Sequence, residues 1–274
     1  MKSFRAFASV LSVAIPLCAR CAFEGITAGG PEVGLAGATV ALRAGQGILH
    51  RNPACLAGIT GFTLTASACP GLFGIPDLRC MSSTAALGVP WGGVGASVST
   101  LGLPGYRETS ASLSCAYGKG TAWSAGVRVS LLFLTIGGYG TTLVPAYDAG
   151  AQIECLESLA FGVLLTNIGS ARIGKQREAL PRSLECGFSF SPDGSGVLVC
   201  ASAVQEFLAP VDWRLGLAYS PYRCLVLRTG VSTEPALLCG GFGIVLSPVS
   251  MDYAVSHHWQ LGLTHHVSVT LTLG

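Results

Sequence analysis

Two histidine pairs, His257-His258 and His265-His266, are the residues that most readily suggest chemistry, because imidazole is a common metal ligand. Neighbouring residues on a strand point to opposite faces, so neither pair can converge on one ion. Only one histidine from each pair could approach across a hairpin, and rim or lumen polarity is the plainer reading. Beyond the first 22 residues lie nine cysteines: Cys55, Cys69, Cys80, Cys115, Cys155, Cys186, Cys200, Cys224 and Cys239. None forms a CxxC pair, so neither a zinc knuckle nor a redox dithiol is indicated. Most sit at apolar positions, where cysteine acts as a small hydrophobe. A Cys69–Cys80 bridge across a loop stays open as an alternative. No GxSxG, HExxH, phosphate-binding loop or dinucleotide fingerprint occurs in a fitting context. No enzyme, cofactor or metal is therefore expected. The remaining candidates are isolated charges: Glu108, Arg128, Asp148, Glu154, Glu185, Arg214, Arg228 and Asp252. Of these, Arg128 and Arg214 have the side-chain chemistry to meet a carboxylate.

The elements that must hold these charges are strands. Only 11% of residues are charged, 50% are hydrophobic, and mean hydropathy is +0.56. A soluble domain usually carries about a quarter charged residues, so the apolar surface must meet a core or lipid. Beyond the N-terminus no apolar run reaches the roughly 20 residues a spanning helix needs. Alternation with period 2 recurs instead. Trp123, Ala125, Val127, Val129, Leu131 and Phe133 interleave with Ser124, Gly126, Arg128 and Ser130. Trp213, Leu215, Leu217 and Tyr219 interleave with Asp212, Arg214, Gly216 and Ala218. Leu261, Leu263, Val267, Val269, Leu271 and Leu273 share one face of the final segment, interrupted by His265. The polar faces carry Gly, Ser and Thr rather than the Lys and Glu of a wetted sandwich. Many segments are also longer than a soluble strand, and about 10 tilted residues cross a hydrocarbon layer.

The spacing predicts strands at about 60–68, 80–89, 92–102, 107–117, 121–134, 145–155, 157–166, 182–190, 195–206, 211–220, 223–232, 236–246, 249–257 and 261–273. The fold class expected is all-β: a transmembrane antiparallel β-barrel of about 14 strands. Residues 1–22 read as a signal peptide. Lys2 and Arg5 precede the apolar stretch Ala6 to Leu17, and small residues at Ala19, Cys21 and Ala22 place cleavage near Cys21 or Ala22. A net charge of +2 without a basic run points to no nucleic-acid partner.

Residues 23–58 have a different texture. Gly34-Leu35-Ala36-Gly37-Ala38-Thr39-Val40-Ala41-Leu42 is small and apolar, and Asn52-Pro53-Ala54-Cys55-Leu56 follows. Near the other end stand Asp252-Tyr253-Ala254 and Leu261-Gly262-Leu263-Thr264-His265-His266. Together these resemble the outer-membrane barrels related to long-chain fatty acid transporters and to the barrel subunits of type IX secretion. Those chains open with a Gly/Ala-rich segment and an Asn-Pro-Ala-Gly-Leu motif. Here Cys55 stands in place of the glycine, and the chain ends Thr272-Leu273-Gly274 rather than in Phe or Trp.

The resemblance implies a 14-stranded barrel over 59–274 with residues 23–58 folded into it as a plug. The alternative is that 34–42 forms a first strand of the wall. It further implies uptake of small hydrophobic molecules such as long-chain fatty acids across the cell outer membrane. Asn52, Pro53 and Ala54 would then belong to the gate, and Phe62 and Leu64 would have a lining role. The expected partners are outer-membrane lipid, hydrophobic small molecules and proteins at the loops. A non-transporting docking or secretion-associated barrel and a secreted soluble sandwich are the competing readings.

Overall fold

Alternation becomes architecture once each strand has one face for lipid and one for the interior. In the computed structural model the described residues are 22–23, 29–42, 51–118, 122–174, 177–207 and 209–274. The signal peptide expected over 1–22 lies outside them except for residue 22. Strands follow in the order β1 (Phe62–Cys69), β2 (Arg79–Val89), β3 (Gly92–Leu103), β4 (Tyr106–Tyr117), β5 (Trp123–Ile136), β6 (Gly140–Leu156) and β7 (Leu159–Thr166). A short ribbon, β8 (Arg172–Ile173) and β9 (Glu178–Ala179), interrupts the series. Then come β10 (Ser183–Phe190), β11 (Val197–Glu206), β12 (Asp212–Tyr222), β13 (Leu225–Thr233), β14 (Ala236–Leu246), β15 (Val249–His258) and β16 (Gly262–Leu273).

Leaving out the ribbon, fourteen strands pair antiparallel in sequence order and β1 closes on β16, giving a barrel without edges. Phe62 is paired with Leu273 and Ala68 with Val267 at that seam. The predicted segments and the wall strands correspond one to one. β6 runs five residues further towards its preceding turn than expected, and the ribbon β8–β9 was not anticipated, because two-residue strands carry no period to detect.

The outer face is an apolar belt that includes Val127, Val129, Leu131, Leu215, Leu217, Leu263, Val267 and Val269, all exposed. Aromatic residues mark both margins: Trp91, Tyr117 and Trp123 at one end, Tyr139, Trp213 and Trp259 at the other. This is the outer surface of a membrane-spanning barrel. No helix among the described residues is long and apolar enough to cross a membrane. Of the described cysteines, Cys115, Cys155, Cys186 and Cys224 are exposed while the other five are buried, and no disulfide joins any pair.

Hairpins alternate between two ends. β1 starts and β16 finishes at the terminal end, whose connections are tight turns such as 90–91, 157–158 and 223–224. The two longest connections, 70–78 and 167–182, are both at the opposite, loop end. Long connections face outward in barrels of this kind. Both fold back over the lumen. Phe73 donates its backbone N–H to Thr264 Oγ1 (2.9 Å) and meets the His258 ring edge-on. In the longer connection Asn167 adopts a left-handed conformation (φ 52°), which asparagine tolerates better than most residues. Its amide donates to the carbonyls of Leu180 and Pro181, and its Oδ1 accepts from Ala171 N–H. That turn drives Ile173 and Leu180 against Leu132 and Ala146 on the inner wall.

Candidate functional site

A barrel this wide cannot fill its lumen with wall side chains alone, and here the N-terminal segment occupies much of it. The short helix α1 (Gly30–Gly34) packs against β13, β14, β15 and β16, while the 3-10 turn Pro53–Gly58 lies against β2 to β6. Both are buried. Several inward positions of the wall in the terminal half are glycine or alanine where the segment passes. Gly93, Ala116, Gly126 and Gly150 are successive register partners across β3, β4, β5 and β6. A methyl group at Gly126 would stand 2.6 Å from the Pro53 carbonyl carbon, and one at Gly230 2.6 Å from that of Leu35. Main chain therefore meets main chain, which only glycine allows.

Asn52 stands at the centre of this arrangement and is only 1% exposed. Its Oδ1 caps the 3-10 turn by accepting from Ala54 N–H (3.0 Å), and Pro53 occupies the first position, where no N–H is needed. The side-chain amide donates to Val40 O (2.9 Å) within the segment and to Val163 O (3.2 Å) and Ala151 O (3.4 Å) of the wall. Gln152 of β6 reaches inward to donate to the carbonyls of Val40 and Leu42, both at 3.0 Å. Segment and wall thus satisfy each other's buried backbone groups.

Charge crosses the lumen in one chain of contacts. Arg51 lies 2.6 Å from Glu185 of β10 and 3.8 Å from Glu32 of α1. Its carbonyl accepts from the Arg128 guanidinium of β5 (3.2 Å). Burial works against the charge of Arg51, but Glu185 and Glu32 outweigh it and hold its pKa above the ordinary arginine value. Arg128 is bound to Asp148 (2.7 Å), Arg214 to Asp212 (2.6 Å) and Arg228 to Asp252 (2.7 Å). Close by, burial pushes the Cys55 thiol up to about 12 despite the opposing field of Arg128.

On the loop side of the segment lies a cavity of about 310 Å³. One wall is hydroxylic, formed by Ser82, Ser97, Ser99, Ser110, Ser112 and Ser130. The Oγ atoms of Ser112 and Ser130 are 2.9 Å apart. Phe23, Leu132 and Leu180 line its upper part, and Arg51, Arg128 and Arg214 reach its floor and sides.

Asn52, Pro53 and Ala54 are thus gathered at the segment's contact with β5, β6 and β7. Arg128 and Arg214 face the lumen, each already bonded to a wall carboxylate. Phe62 and Leu64 do not line the lumen. Thr65, Ser67 and Cys69 are the buried inward residues of β1, so the even-numbered positions face outward. Phe62 instead borders an outer apolar groove with Leu87 and Leu113. The histidines diverge: His257 and His265 lie on the outer face, where Tyr253 OH meets His265 Nδ1 (2.6 Å), while His258 and His266 face inward. Sequence reasoning missed Arg51, Glu32 and Gln152, and Glu185 was noted only as an isolated charge. Glycine recurring on the polar faces of successive strands was the one signal that pointed to a seat for another segment.

No protein-family model and no curated protein sequence matches the chain. Solved structures do. A CymD monoaromatic hydrocarbon channel superposes with a TM-score of 0.67 at 13% identity, covering 92% of this chain and 99% of that one. The Pseudomonas putida toluene transporter TodX gives 0.61 at 11%, covering 88% and 96%. A Pseudomonas aeruginosa FadL homologue gives 0.60 at 12%, covering 91% and 99%. At such identities the likeness is one of backbone: the outward-apolar period sets the strands while leaving the identity of each apolar residue free. The chain has the fold of these hydrocarbon- and fatty-acid-transporter-related barrels, a closed antiparallel barrel of fourteen strands.

Proposed function

We propose that this chain is an outer-membrane barrel that takes up small, largely apolar molecules, with the loop-side cavity as binding site and the segment 29–58 as gate. The observation that carries this reading is the cavity of about 310 Å³, floored by a segment of the chain itself. That volume is at the small end of ligand pockets. Likeness of fold to hydrocarbon channels supports the same reading. The wall ladder is continuous at the height of the cavity: its two irregularities, at Glu154/Leu156 and Tyr219/Tyr222, both sit beside turns at the terminal end. A ligand leaving the cavity towards the terminal end must therefore pass along the lumen, and the gate must shift to admit it.

The charges refine the ligand. Arg51, Arg128 and Arg214 at the cavity are bonded to carboxylates, while Glu108 and Glu206 also line it. A free carboxylate entering would have to displace an internal partner, whereas a hydroxyl or carbonyl finds the serine wall ready to bond. The favoured cargo is an uncharged apolar molecule with one hydrogen-bonding group.

The test is saturable binding to the folded, heat-modifiable barrel in detergent, comparing dodecanol with dodecanoate at pH 8. Dodecanol is expected to bind at least about tenfold tighter, equivalent to about 1.4 kcal/mol. Asn52→Ala should alter that binding. Tighter binding of dodecanoate would refute the uncharged cargo. Binding of neither would refute uptake and leave the docking role.

A further inference from the structure

Five carboxylates are buried among the described residues: Glu32, Glu108, Glu185, Asp212 and Asp252. Arg51 serves Glu32 and Glu185, Arg214 serves Asp212, and Arg228 serves Asp252. Among the described residues no guanidinium pairs with Glu108, the third residue of β4. Its oxygens accept from the Tyr106 hydroxyl and from the backbone nitrogen of Phe23, the latter at 2.8 Å. A buried carboxylate left without a cation is costly, and every other member of this set avoids that cost.

Phe23 is held in place independently. Its side chain packs against the buried cluster of Leu132, Ala146, Ile173 and Leu180 under the connection 167–182, and its φ is 63°. The sequence bears on the same nitrogen. Ala19, Cys21 and Ala22 close the apolar leader with the small residues that leader peptidases accept. The expected cleavage region and the nitrogen bound by Glu108 coincide to within a residue.

We propose that the leader is cut beside Ala22 and that the α-ammonium so released, on Ala22 or Phe23, docks inside the lumen as the cation of Glu108. Hydrolysis by the export peptidase adds one water across the peptide bond. It leaves a carboxylate on the departing leader and a protonated amine on the mature chain. The fifth buried carboxylate then gains its partner only after export. The mature N-terminus becomes part of the cavity's upper wall, beside the serine surface.

The test uses the full-length barrel isolated from the membranes of expressing cells. Intact-mass analysis is expected to place the N-terminus at Ala22 or Phe23, and any other N-terminus overturns the proposal. The mature chain offers only Lys119 and Lys175 as competing amines. An unhindered α-amine, with an ordinary pKa of about 7.7–8.0 against about 10.4 for lysine, would acylate faster than either at pH 7. In the folded wild type it is expected to acylate more slowly than both lysines. Glu108→Gln should speed its labelling at least about tenfold, the effect of one pKa unit, and Glu108→Asp should restore protection. Fast labelling in the wild type, or unchanged labelling in a folded Glu108→Gln barrel, overturns the proposal. If Glu108→Gln does not fold, the wild-type mass and labelling rate still decide.

Discussion

Replacing Arg51 by methionine tests whether the N-terminal segment is a gate held by charge. The change keeps most of the apolar stem and removes the guanidinium that Glu185 and Glu32 share. Glu185 is 1% exposed and sits on the wall, so it cannot turn to water. Removing one partner of a buried pair costs about 3–5 kcal/mol, because the remaining charge stays buried. If that cost falls on the seated state, the ratio of displaced to seated segment rises by roughly 10² to 10⁴, at a factor of ten per about 1.4 kcal/mol. The assay is single-channel conductance in planar bilayers together with swelling of liposomes in small sugars. Arg51→Met should convert a silent barrel into one with long-lived open events. Adding Glu185→Gln should reverse much of the leak by removing the stranded charge. A folded Arg51→Met barrel that stays silent would refute the electrostatic latch. A leak that Glu185→Gln does not reduce would show that packing, not charge, holds the segment.

Three further outcomes follow from the same geometry. Gly126→Val places side-chain atoms where the Pro53 carbonyl lies, and overpacking of this kind costs about 1–3 kcal/mol. It should raise conductance without lowering the urea midpoint of the barrel. Cys55, buried beside Arg128 with its thiol pushed up to about 12, is expected to resist maleimide at pH 8 in the wild type and to react in Arg51→Met. Equal reactivity in the two would show that the segment had not moved. Leu113, 69% exposed near the middle of β4, faces the hydrocarbon layer, and Leu113→Arg should destabilise the barrel in lipid by about 2–4 kcal/mol. Urea titration in vesicles measures this, and a neutral result would place that face in water.

Residue parity fixed most of the fold from sequence. Trp123 to Phe133 and Leu261 to Leu273 announce which face is apolar, because successive side chains of a strand must diverge. Repeating that pattern with short turns leaves closure as the way to avoid edges. The Gly/Ala-rich stretch 34–42 and the Asn-Pro turn likewise marked a segment unlike the wall. Strands of two residues, β8 and β9, were invisible because they have no period.

Parity could not say which inward residues meet across the lumen. Arg51 and Glu185 are 134 positions apart, and nothing local links them. Their meeting depends on strand stagger and on the course of the segment through the barrel. The same limit explains Arg128 and Arg214: sequence identified them as inward cations, but only the register set Asp148 opposite Arg128, and only the closed barrel showed Arg51, Arg128 and Arg214 each bonded to a carboxylate at the cavity. For Phe62 and Leu64 the alternation was already legible: they share the apolar face of β1 with Ala66 and Ala68, against Thr63, Thr65 and Ser67, and the lining role expected of them ran against it. Burial of Thr65, Ser67 and Cys69 against the lumen decided the matter. Side-chain direction is a property of neighbouring residues, so the sequence determined it well; the cavity and its charge pairs are properties of distant ones, and only the closed barrel brought them together.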